Sequence, residues 1–501
     1  MSKYLMGIDI GTYSSKGVLV DAHGHIAAES TKEHDLIIPK SGWAEHDAEK
    51  TWWGDLCSIS KDLIQQSNLD PNQIAAVGCS AIGPDLLAVD QNCNPLHNAI
   101  LYGIDTRSKE EICELENSIG TENVFSKCAN PLSTQAVGPK ILWLKKNKPH
   151  IYKEAHKFVT GTTYLVAKLT CRYVIDHYSA STFTPLYDFD ANQWNHSLCQ
   201  GIVEVNRLPK IMWSSEVAGT ISKEAHSETE LAIGTPVICG TIDAAAEAIS
   251  AGVTEPGNLM LMYGTTMFLI NVTAAPKKDA RLWAAPFLFP NTYAVMGGMA
   301  TTGALTVWFK ENFAKELIAK EKTTGQSAFK VLAENIKDIP PGSKGLVVLP
   351  YFSGERTPIN NPDAKGIIFG LDLTHSREHI YKAILESVGY GISQHFDVFN
   401  EMNAYPNKTV AVGGGTKNKE WLQIVSDIGG FEQYVPKTTI GAAYGDAYLA
   451  AMGIGLYHSY KDISQWVQYD SQIQPNPNHN KIYKSYQEKY YRLYNSTKEL
   501  L

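Results

Sequence analysis

In the stretch "GIDIGTYSSKG", Gly7 to Gly17, a carboxylate lies inside an apolar strand, and a Gly-Thr turn, two serines and a lysine follow it. Apolar runs on both sides of a Gly-Thr step mark a hairpin rather than a helix. The same plan returns later, where "LMLMYGTTMFLINV" sets a Gly-Thr turn between two apolar strands just as "MGIDIGTYSSKGVLV" does. Around the first copy the sequence reads as an antiparallel meander of "YLMGIDIG", "SKGVLVD" and "HIAAEST". From about Trp52 helices and strands alternate, as in "TWWGDLCSISKDLIQQ" and "IAAVGCSAIG", which is the α/β pattern. After the second copy the alternation resumes through "VVLPYF", "REHIYKAILESVGYGISQHF" and "TVAVGGGTKNKEWLQIVSDIGG". A chain that starts over in this way is expected to form two domains of one topology. Its 501 residues are also too many for one ordinary core.

Several function classes are excluded at this stage. The chain is 44% hydrophobic and 19% charged, with a net charge of -8 and no long block of like charge, so nucleic acid is not an expected partner. No apolar run approaches the ~20 residues that cross a bilayer, and "MSKYLMGIDIG" has none of the regions of a signal peptide. A cytoplasmic protein without membrane association is expected. The eight cysteines are dispersed with no C-x-x-C pair, which suggests neither a zinc site nor a disulfide framework.

The chemistry of the opening stretch has two readings. In the plain one, Asp9 is a strand-end residue satisfied by nearby backbone N–H groups and Lys16 is solvated. In the other, a carboxylate between Ile8 and Ile10 needs a ligand, a distant partner or a metal to offset its desolvation. Gly11 and Thr12 would then offer N–H and hydroxyl donors to phosphate oxygens, extended by Ser14 and Ser15, with positive charge from Lys16. The stretch is neither a P-loop nor a dinucleotide fingerprint, because its glycine turn joins two strands. A metal-bound polyphosphate held by a hairpin fits it best.

"GIDIGTYSSKG" resembles the first phosphate hairpin of the sugar kinase, Hsp70 and actin superfamily. Further motifs in order make the chain similar to the FGGY carbohydrate kinases, on the xylulose kinase branch, nearly end to end. They are "GTIDAAAEAISAG", "YGTTMFL", "GERTPINNPDAKGIIFGLDL", "AVGGGTKNKEWLQIVSDIGG" and "IGAAYGDAYLAAMGIG". The resemblance implies two ribonuclease H-like α/β domains of the actin-like ATPase type with a central cleft where ATP and sugar meet. The expected boundaries are 1–246 for the sugar-binding domain, 247–460 for the nucleotide-binding domain, and 461–501 for a helical segment packing back.

Asp243, which ends the apolar run "PVICGTI" and precedes "AAAEAIS", reads by position alone as a helix N-cap. The resemblance makes it the general base that takes the proton of the sugar's reacting hydroxyl. Asp9 would organise Mg²⁺ near the phosphates, with Asp243 on the other side of that ion. Gly11, Thr12 and Lys16 from the first hairpin and Gly264, Thr265 and Thr266 from the second are implied phosphate contacts. Gly303, Gly414, Gly415, Thr416 and Asn418 are implied adenosine contacts, while Leu305, Trp308 and Phe309 read as core on a helix face.

For the sugar, the resemblance points to Ala81, Ile82 and Gly83 and to Tyr102, Asp105 and Arg107 in "LYGIDTRSKEE". A carboxylate can accept from two vicinal hydroxyls, which suits Asp105 to a polyol; a surface ion pair with Arg107 is the alternative. Familiar xylulose kinases carry Met-His-Gly where this chain has Ala81-Ile82-Gly83, and an amide residue where Ala244 stands. Both departures shorten the hydrogen-bonding reach of the sugar site. His375 and His379 around Glu378 look like a metal pair, but "HSREH" is not H-E-x-x-H, and the first turn of a solvated helix accounts for them better.

The expected reaction is phosphorylation of D-xylulose by ATP with Mg²⁺. The alternatives are a kinase for ribulose, gluconate or glycerol and, from another class, an Hsp70- or actin-like ATPase that binds protein. A homodimer is expected from the resemblance alone.

Overall fold

The computed structural model describes residues 3–438 and 440–500. Two compact units divide the chain, the first comprising Met1–Pro256, Val272–Ala294 and Ile440–Val467, the second Gly257–Asn271, Val295–Thr439 and Gln468–Leu501. Among the described residues no helix is long and apolar enough to cross a membrane.

The first unit is built on a sheet whose strands run in the order Ile26–Glu33, Ser14–Asp21, Tyr4–Ile10, Ile74–Ala81, Pro236–Ile238 and Val217–Thr220. The first three form the antiparallel meander, and Ile74–Ala81 lies parallel to Tyr4–Ile10. Leu5, Met6, Ile8 and Ile10 are all fully buried, so both faces of the central strand are covered. That is why the strand reads as an apolar run rather than an alternation.

Gly7 and Gly78 sit side by side on neighbouring strands. A methyl group on Gly7 would overlap the Ala443 carbonyl, and one on Gly78 would overlap that of Asp446. The two glycines thus let the backbone of helix Ala442–Gly453 lie directly on the sheet. Gly445 brings the same helix against Ala246 of helix Asp243–Ser250. A second apolar cluster, with Leu115, Val137, Ile141 and Phe158, gathers the peripheral helices of this unit.

The second unit repeats the plan. Its strands run Tyr293–Met299, Met267–Thr273, Asn258–Tyr263, Lys408–Val412, Gln433–Pro436 and Tyr469–Ile473. The hairpin is again antiparallel, the next two pairings again parallel, and the last again antiparallel. The last strand lies in the tail expected to be helical. There a short 3₁₀ segment and strand Tyr469–Ile473 precede helix Pro477–Thr497. "YDSQI" alternates polar and half-buried positions, which is the pattern of an edge strand. The stretch "HSREH" opens the long helix Arg377–Glu401, where Ser376 and His379 form a capping box and His375 pairs with Asp372 at 2.9 Å.

Candidate active site

Three strands of the first sheet end together. Asp9 lies opposite Ser80 in the parallel pairing, and Thr241–Ile242 pairs with the far side of the same strand, at Ser80 and Ala81. Asp243 follows at once as the first residue of helix Asp243–Ser250, whose N-cap is Ile242. Asp9 and Asp243 therefore stand two strand spacings apart, about 10 Å at the backbone, with side chains free to approach. The Asp243 carboxylate accepts the Ala244 N–H at 2.7 Å. Ser80 Oγ lies 3.1 Å from Asp9 Oδ1 and 2.6 Å from Asp446 Oδ2. A hydroxyl has one proton to give, so two ionised carboxylates cannot both be satisfied by it.

The electrostatics follow from crowding acids away from water. Burial raises the Asp9 carboxyl to about 6 against the Ser80 hydrogen bond and the charge of Lys16. Burial, and then the charge of Asp9, raise Asp243 well above the ordinary carboxylate range. Glu247 is lifted to about 7 by burial and by Asp9, and Asp446 is raised by burial. Lys16, opposite Asp9 across the hairpin, is the cation that lowers Asp9 and Glu247. Carboxyls that raise one another are a donor set that a cation would relieve. Among the described residues no group of three His, Cys, Asp or Glu is placed to hold a metal.

The first hairpin closes with Gly11 N donating to Ser14 O at 3.0 Å. Thr12 Oγ1 is 3.5 Å from the Tyr102 hydroxyl, so this turn and the "LYGIDTRS" loop meet. Behind the turn lie two residues that the sequence did not single out. His34 Nε2 is 3.1 Å from Gly11 O, and His46 Nε2 is 3.1 Å from Thr12 O. Lone histidines far along the chain carry no local signal, and only the tertiary contact reveals them.

Of the expected sugar residues, Ala81 and Ile82 are buried, with Ile82 N donating to Ile10 O at 2.7 Å. Gly83 and Tyr102 are half-buried. Asp105 is fully buried and both its oxygens are taken. Oδ1 accepts Arg107 N and Nε, and Oδ2 accepts Ala44 N at 2.7 Å and Arg107 Nη2 at 2.7 Å. Arg107 also reaches Glu45 and stacks 3.9 Å from the Trp43 ring. The structure thus forms the ion pair set beside sugar contact, in the interior rather than on the surface. Next to it Lys140 is fully buried, donating to Leu101 O at 2.7 Å, and burial lowers it to about 8.

In the second unit, the turn of the second hairpin packs on the start of helix Gly303–Phe313. Gly303 N donates to Gly264 O at 3.1 Å and Ala304 N to Thr265 O at 3.0 Å. A methyl group on Gly303 would overlap the Gly264 carbonyl. A cavity of about 1190 Å³ opens beside this turn, lined by Gly264, Thr265, Gly303, Gly414, Gly415 and Asn418 of the expected nucleotide residues. Thr416 and Thr266 are not in its wall; Thr416 Oγ1 donates to Gly413 O at 2.8 Å. Leu305 and Phe309 are core as expected, but Trp308 is half-buried and faces the cavity. Helical periodicity places it beside the core without telling a pocket wall from a packed one. Trp421 and Tyr381 also line the cavity, each with a buried polar atom, Nε1 and OH, that has no partner.

Comparison with known proteins gives the following. Residues 4–250 match the N-terminal domain of the FGGY family of carbohydrate kinases, and residues 259–454 match its C-terminal domain. A xylulose kinase of Bacillus subtilis is 28% identical over 99% of this chain and 98% of its own length. A glycerol kinase of Pseudarthrobacter chlorophenolicus is 31% identical over 95% of this chain and 94% of its own length. The crystal structure of a xylulose kinase from Rhodospirillum rubrum superimposes with a TM-score of 0.92 at 27% identity, covering 99% of both chains.

Proposed function

Because the chain belongs to the FGGY family of carbohydrate kinases, we propose that it transfers the γ-phosphoryl group of ATP to the terminal hydroxyl of D-xylulose. The observation that carries this reading is the pair Asp9 and Asp243 at the ends of two strands that flank Ile74–Ala81, with the charge of Asp9 raising Asp243. Phosphoryl transfer to an alcohol asks for a base at the hydroxyl and for charge compensation at the phosphates.

Asp243 is assigned as the base. The C5 hydroxyl oxygen attacks the γ-phosphorus, its proton passes to the Asp243 carboxylate, the bond from phosphorus to the bridging oxygen breaks, and ADP leaves. The Ala244 N–H on Oδ1 leaves Oδ2 to face the alcohol. Asp9, with Asp243, would hold Mg²⁺, which supplies positive charge at the phosphate oxygens when bound. With a cation held there, Asp9 and Asp243 would both fall into the ionised range that a base needs. Gly11, Thr12 and Lys16 offer the phosphates an N–H, a hydroxyl and a cation. Gly264, Thr265 and Thr266 at the second turn offer N–H and hydroxyl donors without a cation, and the large cavity with Gly303, Gly414, Gly415 and Asn418 suits adenosine. Asp105, saturated by Arg107 and Ala44, serves the sugar by fixing the loop that carries Tyr102.

The glycerol kinase likeness favours a polyol as the second reading. A coupled assay of ATP consumption with D-xylulose, D-ribulose, gluconate and glycerol separates the two. Stimulation by D-xylulose above all others is the expected result. Preference for glycerol or gluconate replaces the substrate but keeps the mechanism, and stimulation by none of them removes the kinase reading in favour of an ATPase that binds protein.

A further inference from the structure

The protonation of His34 can be read from its neighbours. Its Nδ1 is 2.8 Å from Asp55 Oδ2 and its Nε2 is 3.1 Å from Gly11 O. A carbonyl oxygen only accepts, and the Asp55 oxygen already receives the Ser15 hydroxyl at 2.7 Å. Both ring nitrogens must therefore donate, which requires an imidazolium. The adjacent His46 is fixed in the opposite sense. Its Nδ1 accepts the Trp52 indole N–H at 3.0 Å, so it is bare, and its Nε2 carries the single proton given to Thr12 O. The two rings stand edge to face with centroids 5.1 Å apart. One charged and one neutral imidazole thus hold successive carbonyls of the hairpin turn, and His34 N adds a bond to Tyr13 O at 3.0 Å.

We infer that His34 is a positioning residue for the nucleotide's phosphates: as an imidazolium it ties the Gly11 carbonyl to Asp55, fixing the direction of the turn's N–H groups, and a neutral ring makes only one of the two bonds. The inference rests on the first hairpin being the phosphate site. The titratable groups that face His34 are Asp55 from helix Gly54–Ser67 and His46 from its own side of the turn. Burial opposes the charge, but the hydrogen bond and charge of Asp55, with the Gly11 and Thr12 carbonyls, hold His34 above its ordinary value. Burial and then the charge of His34 push His46 down to about 4. A histidine raised in the folded state keeps its bonds below its unfolded value and loses them as pH rises through the folded one. Order at the turn is accordingly full on the acid side of about 6.5 and declines on the alkaline side.

Three measurements test this on the whole chain. In ¹⁵N spectra of the imidazole rings at pH 6.5, His34 is expected to show two protonated nitrogens and His46 one; a bare nitrogen on His34 overturns the inference whatever the protein phosphorylates. In MgADP titrations from pH 6.5 to 8.5, the affinity of wild type relative to His34→Ala, a ratio from which the titration of Asp9 and Asp243 cancels, is expected to fall from about tenfold to near unity, a change of about 1.4 kcal/mol. His34→Gln, which keeps one donor, should recover part of the affinity, in a ratio to His34→Ala that does not change with pH. In turnover assays KM for ATP should rise while KM for sugar stays within twofold. A ratio of wild type to His34→Ala that does not change with pH contradicts the role, and equal loss across all parameters would mark His34 as merely structural.

Discussion

At the first hairpin the turn carbonyls of Gly11 and Thr12 are held by the rings of His34 and His46. At the second, those of Gly264 and Thr265 are held by Thr302 and by backbone N–H groups at the start of helix Gly303–Phe313. The strand before the first turn carries Asp9; at the matching place before the second stands Met262. One turn is thus set among titratable groups and carboxylates, the other in an uncharged backbone frame beside a large cavity. A duplicated topology has been given two electrostatic characters. The charged copy suits cation and proton chemistry, and the neutral copy suits a ligand held by shape and N–H donors.

Replacing the carboxylate of the charged copy should have the largest effect. Asp9→Asn is expected to lower sugar-dependent ATP turnover on the order of 1000-fold, since several kcal/mol of charge compensation are lost. Met262→Leu should stay within twofold, and a similar loss in both would erase the distinction. Next is Gly303→Ala. The added methyl displaces the Gly264 carbonyl, and overpacking of this kind costs about 1–3 kcal/mol, so KM for ATP should rise about 20-fold with kcat little changed. A normal KM would show that the second turn does not hold nucleotide.

A smaller effect concerns stability. Asp85 and Glu247 are raised by burial to about 7, so the folded state holds protons that the unfolded chain has released above about pH 4. Their contribution is present in acid and lost as pH rises through 7. The melting temperature without ligand should fall by roughly 5 °C from pH 5 to pH 8. Asp446→Asn should reduce that fall, because Asp446 is a raised carboxyl of the same cluster. A flat or rising profile contradicts the crowded-acid account. Smallest is Thr302→Val, which removes hydroxyl bonds of 3.2 and 3.3 Å to the second turn and should weaken nucleotide binding about threefold.

Much of this was legible in the sequence, and the reasons are local. Both hairpins announce themselves by a Gly-Thr step between apolar runs, and "AVGGGTKNKEW" by three glycines before an amphipathic helix. What escaped is long-range. Helix Ala442–Gly453 reads as a small-residue helix, yet nothing in its own pattern says that Gly7 and Gly78 receive it and bring Asp446 to Ser80. His34 and His46 look like ordinary polar residues until the fold sets them behind the turn. Asp105 has the sequence of an exposed acidic loop, but Trp43, Arg107 and Ala44 enclose it. The strand Tyr469–Ile473 is short and polar, so only pairing with Gln433–Pro436 defines it.

The most direct test of the account is Asp243→Asn, assayed for D-xylulose-dependent turnover and for MgADP binding on the same preparation. The account predicts turnover reduced about 1000-fold, the scale of a lost general base, with MgADP affinity within a few-fold of wild type. Turnover near the wild-type rate would contradict it.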